Sequence, residues 1–254
     1  MKLNVSIVLY KHDFAFVEHL ISCLLENESV ANIFLIDNSP TASQEFKSLN
    51  INKLTYIHAQ KNKGYGAGNN IAIRKTILKG IPYHLVLNPD IELKGADLDH
   101  LISYMEEHPD VGHLMPKMLN SDGSIQYLCK RLPTPFDLII RRFLPENWFT
   151  KRRDWFEMRD TGYNQIMDVP YLSGSFMLLR TSALKEVGLF DERFFMYPED
   201  IDLTRRIGAK YRTIFYPEVS VIHHHEKASY KSVKLLIIHV WNIMKYFWKW
   251  GLRV

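Results

Sequence analysis

Four short runs of apolar and β-branched residues, 5–10, 33–36, 54–57 and 84–87, alternate with segments whose apolar residues recur every three or four positions. The first such segment carries Phe14, Val17, Leu20, Ile21, Leu24 and Leu25, one stripe of a helix. Strands that are apolar throughout, each followed by a helix, predict an α/β chain with a mostly parallel sheet covered on both faces. In such sheets ligands bind beyond the carboxyl ends of the strands. The second run stops at Asp37-Asn38-Ser39 and the fourth at Asn88-Pro89-Asp90, so Asp37 and Asp90 are both expected at that edge.

Beyond residue 95 the reading continues with a helix over 97–107, a strand over 111–115 and a hairpin turn at Ser121-Asp122-Gly123. Residues 130–165 differ: Pro133, Pro135 and Pro145 interrupt them and basic residues alternate with aromatics, which reads as an insertion, helical near 136–143. A strand over 171–179 with a Ser-Gly-Ser break, a helix over 199–209 and short strands over 213–216 and 220–222 lead to His223-His224-His225. There is no internal repeat.

With 46% hydrophobic and 24% charged residues, the 254-residue chain has the material for one large core, which excludes a disordered or collagen-like protein. Two cysteines exclude a disulfide framework and a four-sulfur zinc site, and Cys23 reads as a small core residue of the first helix. A net charge of +4 suggests anionic neighbours without demanding nucleic acid, and no nucleic-acid reader motif is present. The N-terminal apolar run is too short and too β-branched for a signal peptide, and no run approaches the roughly 18 to 20 apolar residues that span a bilayer. A cytoplasmic protein is expected.

Several clusters offer chemistry. Asp90, with Glu92 two residues on, reads as a corner for a hard divalent cation, which takes one or two carboxylates plus phosphate oxygens, or equally as a turn aspartate. Asn62-Lys63-Gly64-Tyr65-Gly66-Ala67-Gly68-Asn69-Asn70 runs into a helix. Its alternate glycines allow close backbone approach, and the helix N-terminus favours a phosphate. Glu199, Asp200 and Asp202 open another helix, as partners of the macrodipole or as a general base. Helical spacing turns Asp200 and Asp202 apart. One of the three histidines can join a carboxylate–diphosphate metal site, whereas zinc would need more protein ligands than this chain clusters.

In this order VSIVLY, LIDNS, NKGYGAGNN, LNPD, LSGSFMLLR, GLFDERFFMYPEDIDLTRR and FYPEVSVIHH resemble the family 2 glycosyltransferases of GT-A fold, in particular their rhamnosyltransferase-like branch, over about residues 3–226. The resemblance implies a Rossmann-like sheet with a glycosyltransferase domain over 1–228 and a separate C-terminal helix over 229–254. It implies an inverting transfer from a nucleotide-diphosphate sugar (dTDP-rhamnose-like or a UDP-sugar) to a glycan hydroxyl, with Mg²⁺ or Mn²⁺ as cofactor. By that likeness Tyr10 and Asp37 hold the nucleoside, Asn62, Gly64 and Asn69 lie along the diphosphate, and Asp90 and His223 meet the metal. Asp200 is then the catalytic base, Glu199 shapes the acceptor site, and Arg206 holds the helix. Two departures stand out: Asn88 replaces the first acid of the family's Asp-x-Asp element, and Lys11 stands where Asn is frequent. A sugar nucleotidyltransferase is the rival enzyme, disfavoured because LYKHDFAF replaces its Gly-rich triphosphate loop. A non-catalytic glycan or nucleotide-sugar module is the other rival, and the Glu199-Asp200 pair argues against it.

The C-terminal segment places Lys231, Lys234, Asn242, Lys245 and Lys249 on one side of a helix and Leu236, Val240, Ile243, Phe247 and Trp250 elsewhere in a broad apolar stripe. This predicts either an interfacial helix on an anionic membrane surface, the inner face of the cytoplasmic membrane, or a helix docked on protein. Lys130, Arg131, Arg141, Arg142, Lys151, Arg152 and Arg153, set among Phe143, Trp148, Phe149, Trp155 and Phe156, add to the first reading and suggest a lipid-linked glycan acceptor.

Overall fold

The computed structural model describes residues 1–93, 97–138, 148–224 and 233–252. Arg141, Arg142, Phe143, Pro145, His225 and Lys231 lie outside them, as does the side chain of Lys234.

The strands are β1 (Leu3–Leu9), β2 (Val30–Asp37), β3 (Leu54–His58), β4 (Tyr83–Leu87), β5 (Ile91–Glu92), β6 (Val111–Leu119), β7 (Cys129–Lys130), β8 (Met167–Asp168), β9 (Tyr171–Leu172), β10 (Phe176–Arg180) and β11 (Arg212–His223). The helices are α1 (Phe14–Glu26), α2 (Gln44–Ser48), α3 (Tyr65–Leu78), α4 (Leu98–Glu107), α5 (Pro135–Leu138), α6 (Thr150–Phe156), α7 (Thr181–Val187), α8 (Glu199–Gly208) and α9 (Val233–Trp250). The main sheet runs β3-β2-β1-β4-β10-β6-β11-β5, with β8 added beside β11. β3, β2, β1 and β4 are parallel, β10 runs against β4 and β6, and β11 is again parallel to β6. The sheet is therefore mostly parallel, as expected, with β10 reversed inside it.

Every residue of β1 and β4 is buried. This is why these strands show no alternation in sequence: helices cover both faces. α1 starts where the Asp13 side chain accepts from the Phe16 N–H at 3.0 Å, a cap worth about 1 kcal/mol. It buries Val17, Leu20, Ile21 and Leu24 on the sheet. Cys23 is only half-buried at its margin. A polar thread crosses the core beneath α3. Ser6 donates to Asn69 Oδ1 at 2.6 Å, and His84 bridges Ser6 and Thr76 at 2.9 and 2.7 Å. Burial pushes the His84 imidazole down to about 3, so it stays neutral and ties β1, β4 and α3 together.

One sequence expectation changes in the structure, and an alternative left open for the C-terminal helix is decided. The short strands expected at 213–216 and 220–222 are one strand, β11, whose register on β6 shifts between Tyr216 and Ser220. Pro217 lies in that shift; lacking an N–H, it fits a bulge better than a ladder, and the apolar run looks broken there. The apolar stripe of the C-terminal helix does not face outward. Ile243, Tyr246 and Phe247 of α9 are buried against Tyr171, Phe194 and Ile201, with Trp250 packed beside them. Asn242, assigned from sequence to the polar side, is buried and donates to the Met196 carbonyl at 3.1 Å. Among the described residues no helix is long and apolar enough to cross a membrane.

Candidate active site

The registers bring the chemistry to one edge. Leu9 lies opposite Asp37, and Ile7 opposite Leu87, so β1, β2 and β4 end together. β10 begins at that edge because it is reversed, with Phe176 opposite Leu87, and β11 ends there with His223 opposite Ile91. The segments after β2, after β4, before β10 and after β11 therefore converge. A cavity of about 830 Å³ opens among the last three, with Asn88, Gly174, Tyr197, Glu199, Asp200 and His223 in its wall, whereas Tyr10 and Asp37 at the ends of β1 and β2 lie outside that wall.

At the β2 end, Asp37 is 3% exposed. Its carboxylate accepts from the Ser39 N–H at 2.8 Å and the Tyr56 hydroxyl at 2.5 Å. Burial pushes this carboxyl up, but the hydrogen bonds from Ser39 and Tyr56 outweigh it and hold it below its ordinary value. Burial and the same contact push the Tyr56 phenol up to about 12. Asp37 is thus an ionised acceptor at neutral pH. Tyr10, half exposed, stands at the end of β1 with the Lys11 ammonium 5.6 Å from its ring centre.

The glycine turn has a different physical basis from the one its spacing suggests. Gly64 has φ +102°, and a Cβ there would overlap the carbonyl oxygen of Phe195. A Cβ on Gly66 would meet Phe190 at 2.9 Å, and one on Gly68 would meet Val8 at 3.0 Å. These glycines let α3 close onto the sheet and onto the 190–195 segment. Asn62 Oδ1 accepts from the Gly64 N–H at 2.9 Å and shapes the turn. Asn69 is fully buried, with its side chain given to Ser6 and the Tyr65 carbonyl, so it supports the turn from below and does not face the cavity. Beside the turn, a second cavity of about 110 Å³ has Lys61, Lys63, Arg74 and Glu192 in its wall, Arg74 and Glu192 paired at 2.6 Å.

Asp90 and His223 face each other, His223 Nε2 lying 3.3 Å from Asp90 Oδ1. Gln126 donates from Nε2 to the His223 carbonyl at 2.8 Å, which fixes its amide, and its Oε1 lies 2.8 Å from His223 Nδ1. His223 Nδ1 therefore carries the proton and donates, and in the neutral ring the Nε2 lone pair turns toward Asp90. A lone pair and a carboxylate at that separation are stabilised by a cation between them. Among the described residues no group of three His, Cys, Asp or Glu side chains could hold a metal. The pair fits a hard divalent ion that takes its other oxygens from phosphate and water, not a closed protein cage. His224 is engaged elsewhere, by Ser121 at 2.9 Å and Glu92 at 2.9 Å. Glu92 thus stands with His224 and not with Asp90.

The three acids of α8 meet three environments. Asp202 is fully buried and holds Arg206 at 2.9 Å, Lys249 at 2.6 Å and the Trp250 indole N–H at 2.8 Å. Arg206 also donates to the carbonyls of Val187, Gly188 and Leu189, fixing α8 to the end of α7. Asp200 faces the cavity. Its Oδ2 accepts from the Gly174 N–H at 2.9 Å and the Tyr171 hydroxyl at 3.3 Å, and its Oδ1 from the Ile201 N–H at 2.8 Å. Gly174 is required for that approach, since a Cβ there would lie 3.0 Å from Asp200 Cβ. Burial pushes the Asp200 carboxyl up to about 6, against those hydrogen bonds and the Lys130 charge. Burial and the neighbouring Asp200 push Glu199 well above the carboxylate range, and its Oε2 is buried without a hydrogen-bond partner. At neutral pH the pair therefore holds one charge, on Asp200, beside a protonated Glu199.

The sequence model of glycosyl transferase family 2 matches residues 5–188, more than half of the chain. The chain belongs to this family. An N-acetylglucosaminyl-diphospho-decaprenol L-rhamnosyltransferase of Mycobacterium tuberculosis is 30% identical over 230 residues, covering 81% of this chain and 70% of the relative. The rhamnosyltransferase WbbL of Escherichia coli K12 is 34% identical over 177 residues, 66% of this chain and 64% of that protein. GalNAc-T7, solved with UDP, GalNAc and Mn²⁺, superposes with a TM-score of 0.64 at 13% identity, over 89% of this chain and 43% of its own. That likeness carries the GT-A fold alone. This family 2 glycosyltransferase thus spans about two thirds of its sequence relatives and less than half of that structural neighbour.

Tyr171, Gln126 and Tyr56 hold the site residues in place without standing out in the sequence. Gly174 also does so, and the Ser-Gly-Ser break in the LSGS motif marks it. Gln126 sits in a hairpin with nothing to mark it.

Proposed function

We propose that this glycosyltransferase transfers a sugar, with inversion, from a nucleotide-diphosphate donor to a hydroxyl of a lipid-linked glycan, in surface polysaccharide synthesis. The observation that carries the reading is Asp200: a cavity-facing carboxylate held by three donors and poised near pH 6, beside a neutral Glu199. The acceptor hydroxyl attacks the anomeric carbon as the bond to the diphosphate oxygen breaks, and Asp200 takes the hydroxyl proton. No carboxylate nucleophile is needed for a single displacement. Glu199, protonated, donates a hydrogen bond to acceptor or sugar. Asp37 and Tyr10 receive the nucleoside, and Asn62 and Gly64 form the turn beside the diphosphate, which Asn69 supports from below. Asp90 and His223 would hold Mg²⁺ or Mn²⁺, which when bound offsets the charge of the departing nucleotide. The mycobacterial relative's name supports a lipid-diphosphate acceptor class and, of the dTDP-rhamnose-like and UDP-sugar donors, the one that carries rhamnose.

The test is thermal stabilisation by UDP-, dTDP- and GDP-sugars and by nucleoside triphosphates, with and without Mg²⁺ or Mn²⁺. A metal-dependent rise with one nucleotide sugar, weakened in Asp90→Ala, is expected. A preference for triphosphates overturns the reading.

A further inference from the structure

The inward stripe of α9 is used up on the domain, yet the helix carries a second apolar stripe on its opposite side. Ile237, Trp241, Met244 and Trp248 are 64%, 55%, 54% and 89% exposed, and Leu252 just past the helix is 67% exposed. At about 100° per residue the four helical positions fall within an arc of about 60°. A helix apolar on both sides has one partner too few when only one side is docked.

Charge decides which partner fits. The sequence from Lys227 to the end holds Lys227, Lys231, Lys234, Lys245, Lys249 and Arg253 and no acid. Alongside the stripe, a groove of about 540 Å³ is lined by Arg193, Phe194, Lys245, Trp248 and Lys249. Asp191 takes part of that charge from Arg193 and Lys249, Asp202 takes more from Lys249, and Lys245 donates to the Arg193 carbonyl. Arg193 remains 68% exposed. A second copy docked through this face by two-fold symmetry would set these cations against their own counterparts, an unfavourable arrangement. Anionic lipid offers what the surface lacks: phosphates for the groove and an interfacial zone in which tryptophan is favoured.

We propose that the outward face of α9 seats the protein on an anionic lipid leaflet, Trp241 and Trp248 entering the interface and the Arg193–Lys245–Lys249 groove meeting headgroup phosphates. On its other side α9 lines the large cavity with His239 and Ile243, so a seated molecule brings that cavity to the bilayer surface. The seat does not depend on which donor or acceptor the cavity takes.

The full chain is floated with vesicles of phosphatidylcholine alone and of phosphatidylcholine with phosphatidylglycerol, at about 0.1 and 0.5 M salt. Binding to the anionic vesicles, reduced at the higher salt, and a fall of roughly tenfold or more in Trp241→Ser/Trp248→Ser support the seat. Both positions are exposed, so an unchanged Tm checks that the variant folds. Its thermal response to nucleotide sugars should also match the parent, so a failure here leaves the transfer reading standing, and the reverse. No vesicle binding, equal binding to neutral vesicles, or a dimer that the double variant dissociates without any vesicle binding overturns the proposal.

Discussion

Asp200 and Glu199 are adjacent, differ by less than one pH unit in ordinary acidity, and are separated in behaviour by their surroundings. Three hydrogen-bond donors reach Asp200, whereas Glu199 Oε2 meets none, so burial raises one carboxyl moderately and the other far more. Two predictions belong here. Asp200→Asn should lower kcat by roughly 10²- to 10⁴-fold with donor-induced stabilisation intact, read by transfer assay and thermal shift side by side. With wild-type protein, kcat/KM should fall below a pH near 6, where Asp200 takes up a proton. In Tyr171→Phe that limb should move to higher pH, because a donor favouring the charged form is gone. The sign for stability is opposite to that of a salt-bridged acid. The folded pKa lies above the ordinary 3.8, so ionising Asp200 costs the fold; the cost grows as pH rises from about 4 and is complete above about 6. Asp200→Asn should therefore be more stable than the parent at neutral pH, by at most about 3 kcal/mol, and match it near pH 4 in urea melts. The sequence names Asp200 as a candidate base through its motif, but what tunes it is spread over residues 171, 174 and 201, brought together by a reversed strand that periodicity does not reveal.

At the scale of elements, the parallel half of the sheet is legible because its strands are uniformly apolar and its helices regularly striped. What was not legible is how elements share residues. The glycines before and within α3 look like a phosphate cradle, yet each is also demanded by packing, Gly64 most strictly. Gly64→Ala combines a left-handed backbone with an overlap on the Phe195 carbonyl, so it should destabilise by about 2 to 4 kcal/mol, measured by chemical denaturation. An open turn whose glycine served the ligand alone would lose donor affinity with little change in stability. Pro217 interrupts the apolar pattern of β11 although the strand is continuous, and β8 and β7 are two-residue strands, too short for any periodic signal. For α9 the amphipathic pattern predicted two alternative partners for one stripe; the structure gives that stripe to the domain and leaves a second one outside.

At the scale of the molecule, α9 is part of the wall that makes the cavity. It covers Tyr171 and Ile201, the neighbours of the site on one side, and returns Lys249 and Trp250 to the buried Asp202. Without it Asp202 keeps Arg206, but an apolar cluster centred on Phe194 is opened to water and the hydroxyl that donates to Asp200 loses its cover. Burial of several aromatic side chains is worth several kcal/mol, a large share of a domain's net stability. A chain ending at Ala228 should thus melt roughly 10 °C or more below the full chain in calorimetry, and lose transfer even to a water-soluble acceptor. If α9 were only an anchor, the shortened chain would keep its Tm and its transfer to that acceptor. The two outcomes separate a helix that completes the catalytic domain from one that merely tethers it, and the contacts at Asp202 favour the first.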